Sequence, residues 1–335
     1  MLIQIGTCIS SKTEEGYSLF IGIDHGTTGI RFANTEEKWF EISRKQARDM
    51  SKDEIIDSIL ENFNIKAGEI DLIAVTYSMG DGLSGITDIN KVTNRGIISR
   101  EGAGVHIGGG TNVYDAIASS GIPAVVIPGI HRDNYGHPCF KVYSHGASPE
   151  KLGITYNAFL ESNDRDFIVS DISSNTVTMG VKGLKLLGAI DACIFAPGVH
   201  HGPLDLQAIR DIDEGKISAN DAFSTAGVTK LTPQKNLQEL LTGLEKNDPD
   251  AVWAFDTIAV FAAMEIACFQ TLIPGAKVFT AGSVGSMDIV KDRISSLVKS
   301  DVKVLGKLSA AVGLAQIARD VHAGKKDILG IEVDL

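Results

Sequence analysis

The sequence predicts an α/β protein of two lobes, each opened by a strand meander and completed by helices. Three observations carry that expectation. The chain has 335 residues, long for a single core, so two domains of ordinary size fit better. A strand–turn–strand–strand pattern opens residues 18–42 and returns, with little shared sequence, at 166–188. Helical periodicity follows each meander, which is the order of a mixed helix-on-sheet domain. The expected division gives domains of 1–165 and 166–335, with a final helix at about 308–323 across the hinge.

The elements follow in order. Residues 1–17 read as an irregular leader, or an edge strand at 2–5 and a polar turn. The first meander is expected at 18–24, 28–34 and 38–42. Ser51 and Glu54 have capping-box spacing and open a helix whose Ile55, Ile56, Ile59, Leu60 and Phe63 recur at helical intervals. A buried strand at 70–76 runs into Tyr77-Ser78-Met79-Gly80-Asp81-Gly82. The glycine-rich stretch 102–110 leads into a helix, and 124–127 is another buried strand. Residues 129–153 lack periodicity and read as loop, with a helix at about 148–159. The second meander takes 166–171, 176–181 and 183–188, split by turns at 173–175 and 182–183. Helices are expected at about 205–214, 218–226, 236–246, 250–272, 288–300 and 308–323, with strands at 277–281 and 302–304.

Composition narrows the function. The net charge of -11 repels phosphate backbones, and no basic cluster offsets it, so nucleic acid is not an expected partner. No run of 18 apolar residues predicts a membrane span, and the N-terminus lacks the layout of a secretory signal. The apolar stretch 258–273 is broken by Glu265 and Gln270 and reads as a core helix. Cys8, Cys139, Cys193 and Cys268 form no CxxC pair, which fits a reducing cytoplasm and gives no metal signature.

The turn Asp24-His25-Gly26-Thr27-Thr28 lies between two strands. Gly26 permits close approach of backbone N–H groups to an anion. Thr27 and Thr28 add hydroxyl donors, and Asp24 can hold a hydrated Mg²⁺ beside phosphates. The same residues also make an ordinary hairpin turn. Asp81, after a buried strand, can meet an acceptor hydroxyl or be a plain turn carboxylate. Gly108-Gly109-Gly110-Thr111 can receive an anion at a helix N-terminus or serve as a flexible helix entry. His131-Arg132-Asp133 and His200-His201 follow apolar strands and Pro-Gly pairs. Arg132 and His200 could supply the cations a transferring phosphoryl group needs; histidines at such places are also common structural hydrogen-bonders. A zinc site from His131, His200 and His201 has no diagnostic spacing.

Position raises the first turn above an isolated motif. The chain resembles the superfamily of acetate and sugar kinases, heat-shock chaperones and actin. Its D-x-G-T-T-x-x-R turn, ending at Arg31, is similar to the first phosphate motif of glycerol-kinase-like sugar kinases. The second phosphate motif maps to Asp171-Ile172-Ser173-Ser174-Asn175-Thr176, where Ser173 replaces the usual glycine. The adenosine motif resembles Val278-Phe279-Thr280-Ala281-Gly282-Ser283-Val284-Gly285, without the adjacent glycine pair. The closing helix resembles Ser309-Ala310-Ala311-Val312-Gly313-Leu314-Ala315. More narrowly, F-I-G-I-D-H-G-T-T-G-I-R-F-A, Y-S-M-G-D-G and I-P-G-I-H-R-D look like the methanogenesis marker protein 12 family of methanogenic archaea, placed among actin-like ATPases.

The resemblance implies two ribonuclease-H-like, actin-type ATPase domains with a nucleotide cleft between them. It implies ATP and Mg²⁺ as ligands. Gly26, Thr27, Thr28, Ser173, Ser174 and Thr176 would grip phosphates. Gly282, Ser283 and Gly285 would lie against adenosine. Asp24 and Asp171 would place the metal, and Asp171 could instead act as base; Asp81 and Arg132 are the remaining catalytic candidates. The expected function is an ATP/Mg²⁺-dependent phosphotransferase or ATPase linked to methanogenesis. The alternatives are a nucleotide-driven switch that assembles or activates a partner protein, and a non-hydrolysing nucleotide binder. The acceptor, a small molecule or a protein, is left open, and the superfamily makes a homodimer a reasonable assembly.

Overall fold

A computed structural model describes residues 18–26, 29–76, 82–96 and 108–335. The expected leader or edge strand, Thr27, Thr28, Asp81 and most of the glycine-rich stretch lie outside the described residues. The first half contributes β1 (Leu19–His25), β2 (Gly29–Asn34), β3 (Trp39–Ser43), α1 (Arg44–Asp49), α2 (Lys52–Phe63), β4 (Ile70–Val75), β5 (Ile86–Asp88), α3 (Gly109–Ser120), β6 (Ala124–Val126), β7 (Ile130–His131), β8 (His145–Ala147) and α4 (Glu150–Ser162). The second contributes β9 (Phe167–Ile172), β10 (Thr176–Lys182), β11 (Lys185–Ile190), α5 (Leu206–Asp213), α6 (Ala219–Ser224), α7 (Leu237–Glu245), α8 (Pro249–Gln270), β12 (Lys277–Ala281), α9 (Gly282–Gly285), α10 (Asp288–Val298), β13 (Val302–Val304), α11 (Ser309–His322), β14 (Asp327–Ile328) and β15 (Ile331–Asp334).

The meanders repeat as sheets. In the first, β3-β2-β1 are antiparallel and β1, β4 and β6 run parallel. In the second, β11-β10-β9 are antiparallel and β9, β12 and β13 run parallel. Both thus share one five-strand order. The central parallel strands are buried on both faces, and Leu72–Val75 of β4 reads as a continuous apolar run.

Two parts differ from expectation. Residues 327–334, assigned by sequence to the 166–335 unit, extend the first sheet: β15 pairs parallel with β5 and antiparallel with β14. Strands of two and four residues are too short for alternation to reveal. Within 129–153, taken as loop, β7 and β8 form a small antiparallel pair.

Helices α4 and α11 lie between the sheets. Side chains alternate along a strand. Ile21 and Ile23 of β1 therefore belong to the core that holds Ile55, Ile59 and Val113, whereas Gly22 faces α11, where an added Cβ would stand 2.0 Å from the Ala311 carbonyl oxygen. Helix α11 crosses α4 just as closely. A Cβ on Gly313 would come 1.9 Å from the Gly153 oxygen, and one on Gly153 would come 2.6 Å from the Ala310 oxygen. The helix expected at the hinge therefore rests on the first sheet and is locked to α4 by glycines.

Helix α8 is long and apolar enough to cross a membrane. It buries Phe255, Ile258, Ala262, Ile266 and Phe269 on the far side of the second sheet. Glu265 is buried in that layer at 1% exposure. Its Oε2 lies 2.6 Å from Thr178 Oγ1, which is 2.9 Å from Ser170 Oγ. Burial pushes the Glu265 carboxyl well above its ordinary 4.5. The folded state keeps a proton that the unfolded chain releases near that ordinary value. Its contribution is therefore greatest below pH 4.5 and falls as pH rises toward the folded value. Glu265→Gln keeps a hydrogen-bond partner for Thr178 and removes the ionisation. Its melting temperature at about pH 8 is expected to equal or exceed that of the wild type, with a flatter pH profile. A lower melting temperature there would contradict a protonated Glu265.

Candidate functional site

Asp24, next to last in β1, lies on the same face as Gly22, and Asp171, next to last in β9, lies on the face opposite Ser170 and α8. The start of α4 pairs with Asp171 and lies near enough to Asp24 for the Glu150 and Lys151 charges to act on it. Lys151 Nζ lies 2.7 Å from Asp171 Oδ2 and 2.9 Å from Glu150 Oε1. Ser148 Oγ donates to the same Glu150 oxygen. Asp24, Lys151 and Asp171 are 2%, 5% and 4% exposed, so their charges act on one another with little screening.

Asp24 sits at one end of a cross-strand ladder. Arg31 stands opposite it in register, with Glu41 opposite Arg31. The Arg31 guanidinium donates to Asp24 Oδ2 at 3.2 Å and to Glu41 Oε2 at 3.0 Å. Asp24 Oδ1 is buried and has no hydrogen-bond partner among the described residues. Burial, with the nearby Glu150 charge, lifts the Asp24 carboxyl to about 6 against the pull of Arg31 and Lys151. Burial also opposes the Glu150 charge, but Lys151 and the Ser148 and Lys151 hydrogen bonds outweigh it and hold this carboxyl below its usual value. Burial likewise opposes the Lys151 charge, and Asp171 and Glu150 overcome it, so the ammonium is held protonated.

Each loop is braced. Arg44 donates to the carbonyls of His25 at 3.0 Å and Gly26 at 2.8 Å. Burial and Arg44 push the His25 imidazole down to about 3, so it is neutral, with Nδ1 3.1 Å from Thr76 Oγ1. In the second turn the Ser173 N–H donates to Asn175 O at 2.7 Å. Ser173 and Ser174 are half-buried. The Thr176 hydroxyl, expected as a phosphate donor, is buried and donates to Pro197 O at 2.9 Å. Thr176 therefore ties the turn to the 197–201 loop. The N–H groups of His200 and His201 donate to Ser174 O at 3.0 and 2.8 Å. The His201 ring stacks on Phe223, and burial, His200 and Lys151 keep its pKa below normal.

The third motif joins the second. Ala281 pairs with Asp171 across β12 and β9. Gly282, at φ +85°, packs so closely that a Cβ would lie 2.4 Å from Asp171 Oδ1. Only glycine adopts that backbone without strain. Ser283 is exposed beside it and Gly285 is buried. Arg132 does not join the cluster: its exposed guanidinium donates to Val142 O at 3.3 Å. His131 is buried with Nε2 2.8 Å from Leu83 O, a structural role.

A divalent ion fits one part of this site. The orphaned Asp24 Oδ1 is an acidic oxygen lacking a positive partner, and Mg²⁺ commonly takes one or two carboxylates and completes its shell with phosphate and water. Asp171, the other expected metal holder, is occupied by Lys151 instead. Among the described residues no three His, Cys, Asp or Glu side chains group as a metal site.

Sequence reasoning missed Glu150, Lys151 and Arg44. A lysine in α4 reads as surface, yet residues 151–158 are buried throughout. A lysine on a helix with no exposed face must be paired, and that was the available signal.

No family model matches the chain. It is 53% identical over 322 residues to the UPF0285 protein of Methanosarcina barkeri, covering 94% of this chain and 99% of that one. It is 46% identical over 332 residues to that of Methanocaldococcus jannaschii, covering 94% and 98%. The chain belongs to the UPF0285 family. Among solved structures it is similar to Porphyromonas gingivalis acetate kinase, with a TM-score of 0.62 at 12% identity over 91% of this chain and 100% of that one. A ROK family glucokinase from Streptomyces griseus, in complex with glucose and AMPPNP, matches with a TM-score of 0.51 at 17% identity over 90% and 100%. These likenesses show the actin-like ATPase fold of the acetate and sugar kinases.

Proposed function

We propose that this UPF0285 protein binds ATP with a divalent cation between its two sheets and transfers or hydrolyses the terminal phosphoryl group. One observation carries the reading. Two acidic strand ends from separate, repeated sheets meet at one buried helix start bearing Glu150 and Lys151. Structural economy gives no reason to bury two carboxylates beside a third, half-buried one; a polyanion bound with its counter-ions does.

The chain's own groups have distinct parts. The Ser173–Ser174 turn presents hydroxyl donors to phosphates, braced by the 197–201 loop. Thr27 and Thr28 would do the same from the first loop, whose Gly26 end Arg44 fixes. Gly282–Gly285 would lie against the nucleoside. The Asp171 carboxylate is engaged by Lys151. Asp24, with a free oxygen and a pKa of about 6, is the better proton acceptor or metal holder. A bound Mg²⁺ would neutralise phosphate charge next to Asp24. Closure of the lobes, taken as 1–165 and 166–335 apart from the last strands, would exclude water.

The narrower grouping with methanogenesis marker protein 12, and a role in methanogen metabolism, is proposed on the motifs and on relatives from Methanosarcina and Methanocaldococcus. A small-molecule acceptor is favoured over a protein partner by the full-length likeness to acetate kinase.

ADP formation from ATP, with and without Mg²⁺ and across small carboxylate and sugar acceptors, tests the reading. Mg²⁺-dependent turnover is expected. Thermal stabilisation by ATP–Mg²⁺ with no turnover under any condition would reduce the protein to a nucleotide binder and reject phosphoryl transfer.

A further inference from the structure

We propose that a cavity beside the 197–201 loop is a second ligand site, which takes a small organic anion with an apolar body and is coupled to the Ser173–Ser174 turn through that loop. The site stands apart from the nucleotide reading above; the coupling rests on it. The cavity holds about 490 Å³, a volume that suits one organic molecule. Helices α5 and α6 wall it, with His200 and residues 224–226, Thr229 and Lys230 beneath. None of its lining residues belongs to the phosphate turns or to 282–285. Its chemistry is two-sided. Ala208, Ile217, Ala222 and Ala226 make an apolar wall. The charged lining is basic, with Lys230 and Lys235 against Asp211 alone. Lys230 is already met by Asp205 at 3.2 Å, and Asp211 by Lys216 at 3.4 Å. Lys235 is not. Its Nζ donates to Thr232 O at 2.9 Å and pairs with no carboxylate among the described residues. An ammonium has three N–H donors, so two are left. The His200 ring likewise makes no hydrogen bond or ion pair among the described residues. In a chain of net charge -11, an unbalanced lysine over an apolar wall selects an anion that also has apolar surface to bury.

The loop joins this cavity to the turn. The N–H groups of Gly227, Val228 and Thr229 donate to the carbonyls of His200, Gly198 and Val199 at 2.7, 3.0 and 3.2 Å. The Thr229 hydroxyl adds a bond of 2.8 Å to Val199 O. A Cβ on Gly227 would lie 2.5 Å from that same oxygen, so the two segments are packed to move together. On its other edge the loop donates the His200 and His201 N–H groups to Ser174 O. A ligand held against His200 and Thr229 therefore bears on the residues that hold the turn. The opposite wall is built to adjust. Helix α5 buries none of its eight residues fully, so it can close on a ligand without breaking core packing. A ligand that braces the loop braces the turn, and by linkage each ligand then tightens the other by the same factor.

The probe is anilinonaphthalene sulfonate, an organic anion whose fluorescence rises in apolar surroundings. It is titrated into the full-length wild type, Lys235→Gln and Ala208→Trp, with and without ADP–Mg²⁺. Ala208 is half-buried on α5, so a tryptophan there fills the cavity without entering the core. The wild type is expected to show one saturable site. Lys235→Gln should weaken it at least about fivefold, and Ala208→Trp should abolish it. ADP–Mg²⁺ should tighten the probe at least about fivefold. Probe binding unchanged by both substitutions would overturn the site. Loss in Ala208→Trp with Lys235→Gln unchanged would overturn the anion class. Equal probe affinity with and without ADP–Mg²⁺, where calorimetry shows the nucleotide bound, would overturn the coupling and leave the nucleotide reading intact. No nucleotide binding by calorimetry would reject that reading and the coupling with it, while the probe titrations still decide the site. Should Ala208→Trp fail to fold, the exposed Lys235 decides: wild-type probe affinity in Lys235→Gln overturns the proposal.

Discussion

Asp24→Asn is expected to lower ATP turnover by at least about 10²–10³-fold, the scale seen when one group of a preorganised charged site is removed. The variant should stay folded. Asn keeps the size and the contact with Arg31 but gives up the acidic, buried oxygen that has no partner among the described residues. Stability should move the other way from activity. The Asp24 carboxyl has an ordinary value of 3.8 and is raised to about 6 in the fold. The folded state therefore binds its proton more tightly than the unfolded chain does. Its contribution is fully present below pH 3.8 and is lost as pH rises to about 6. Above that range the charged, buried Asp24 is a liability of up to about 3 kcal/mol, which Asn removes. Melting temperatures across pH should show Asp24→Asn at least as stable as wild type at neutral pH, with the difference closing in acid. Wild-type turnover in the variant would remove Asp24 from the site, and a marked loss of stability at neutral pH would give it a structural role.

Gly313→Ala is expected to be the most damaging small substitution among those considered. The new Cβ would stand 1.9 Å from the Gly153 carbonyl oxygen and 2.7 Å from its carbon, inside backbone that cannot move aside. Helices α4 and α11 would have to separate, at a cost on the order of 3 kcal/mol. Gly306→Ala, a few residues earlier, meets nothing within 4 Å and should fall within about 0.5 kcal/mol of wild type. Denaturant unfolding of both variants separates the outcomes. Because α4 also carries Glu150 and Lys151, nucleotide affinity should fall with stability in Gly313→Ala. Equal stability of the two variants would mean that the crossing tolerates a wider spacing.

What the sequence made legible follows from the reach of its signals. The meanders stood out because alternation and turn residues are local, and β1, β2, β9 and β10 formed within a residue or two of expectation. Ser51 and Glu54 cap α2 reciprocally, as their spacing required. Strands β14 and β15 were missed because pairing with β5 spans most of the chain. The site divided in the same way. Asp24 and Asp171 could be named because each ends a strand beside a turn. Glu150 and Lys151 could not, since their role exists only where two sheets meet at one helix. Arg132 was chosen for its charge, but from the turn after β7 it reaches Val142 and solvent. Thr176 was chosen for its hydroxyl, whose hydrogen bond Pro197 already takes.

The most direct test of the account is a crystal structure with AMPPNP and Mg²⁺. The account expects the phosphates between the first loop and the Ser173–Ser174 turn, the metal on Asp24, and the nucleoside against Gly282–Gly285. Nucleotide bound elsewhere, with Asp24, Lys151 and Asp171 left as they stand, would contradict it.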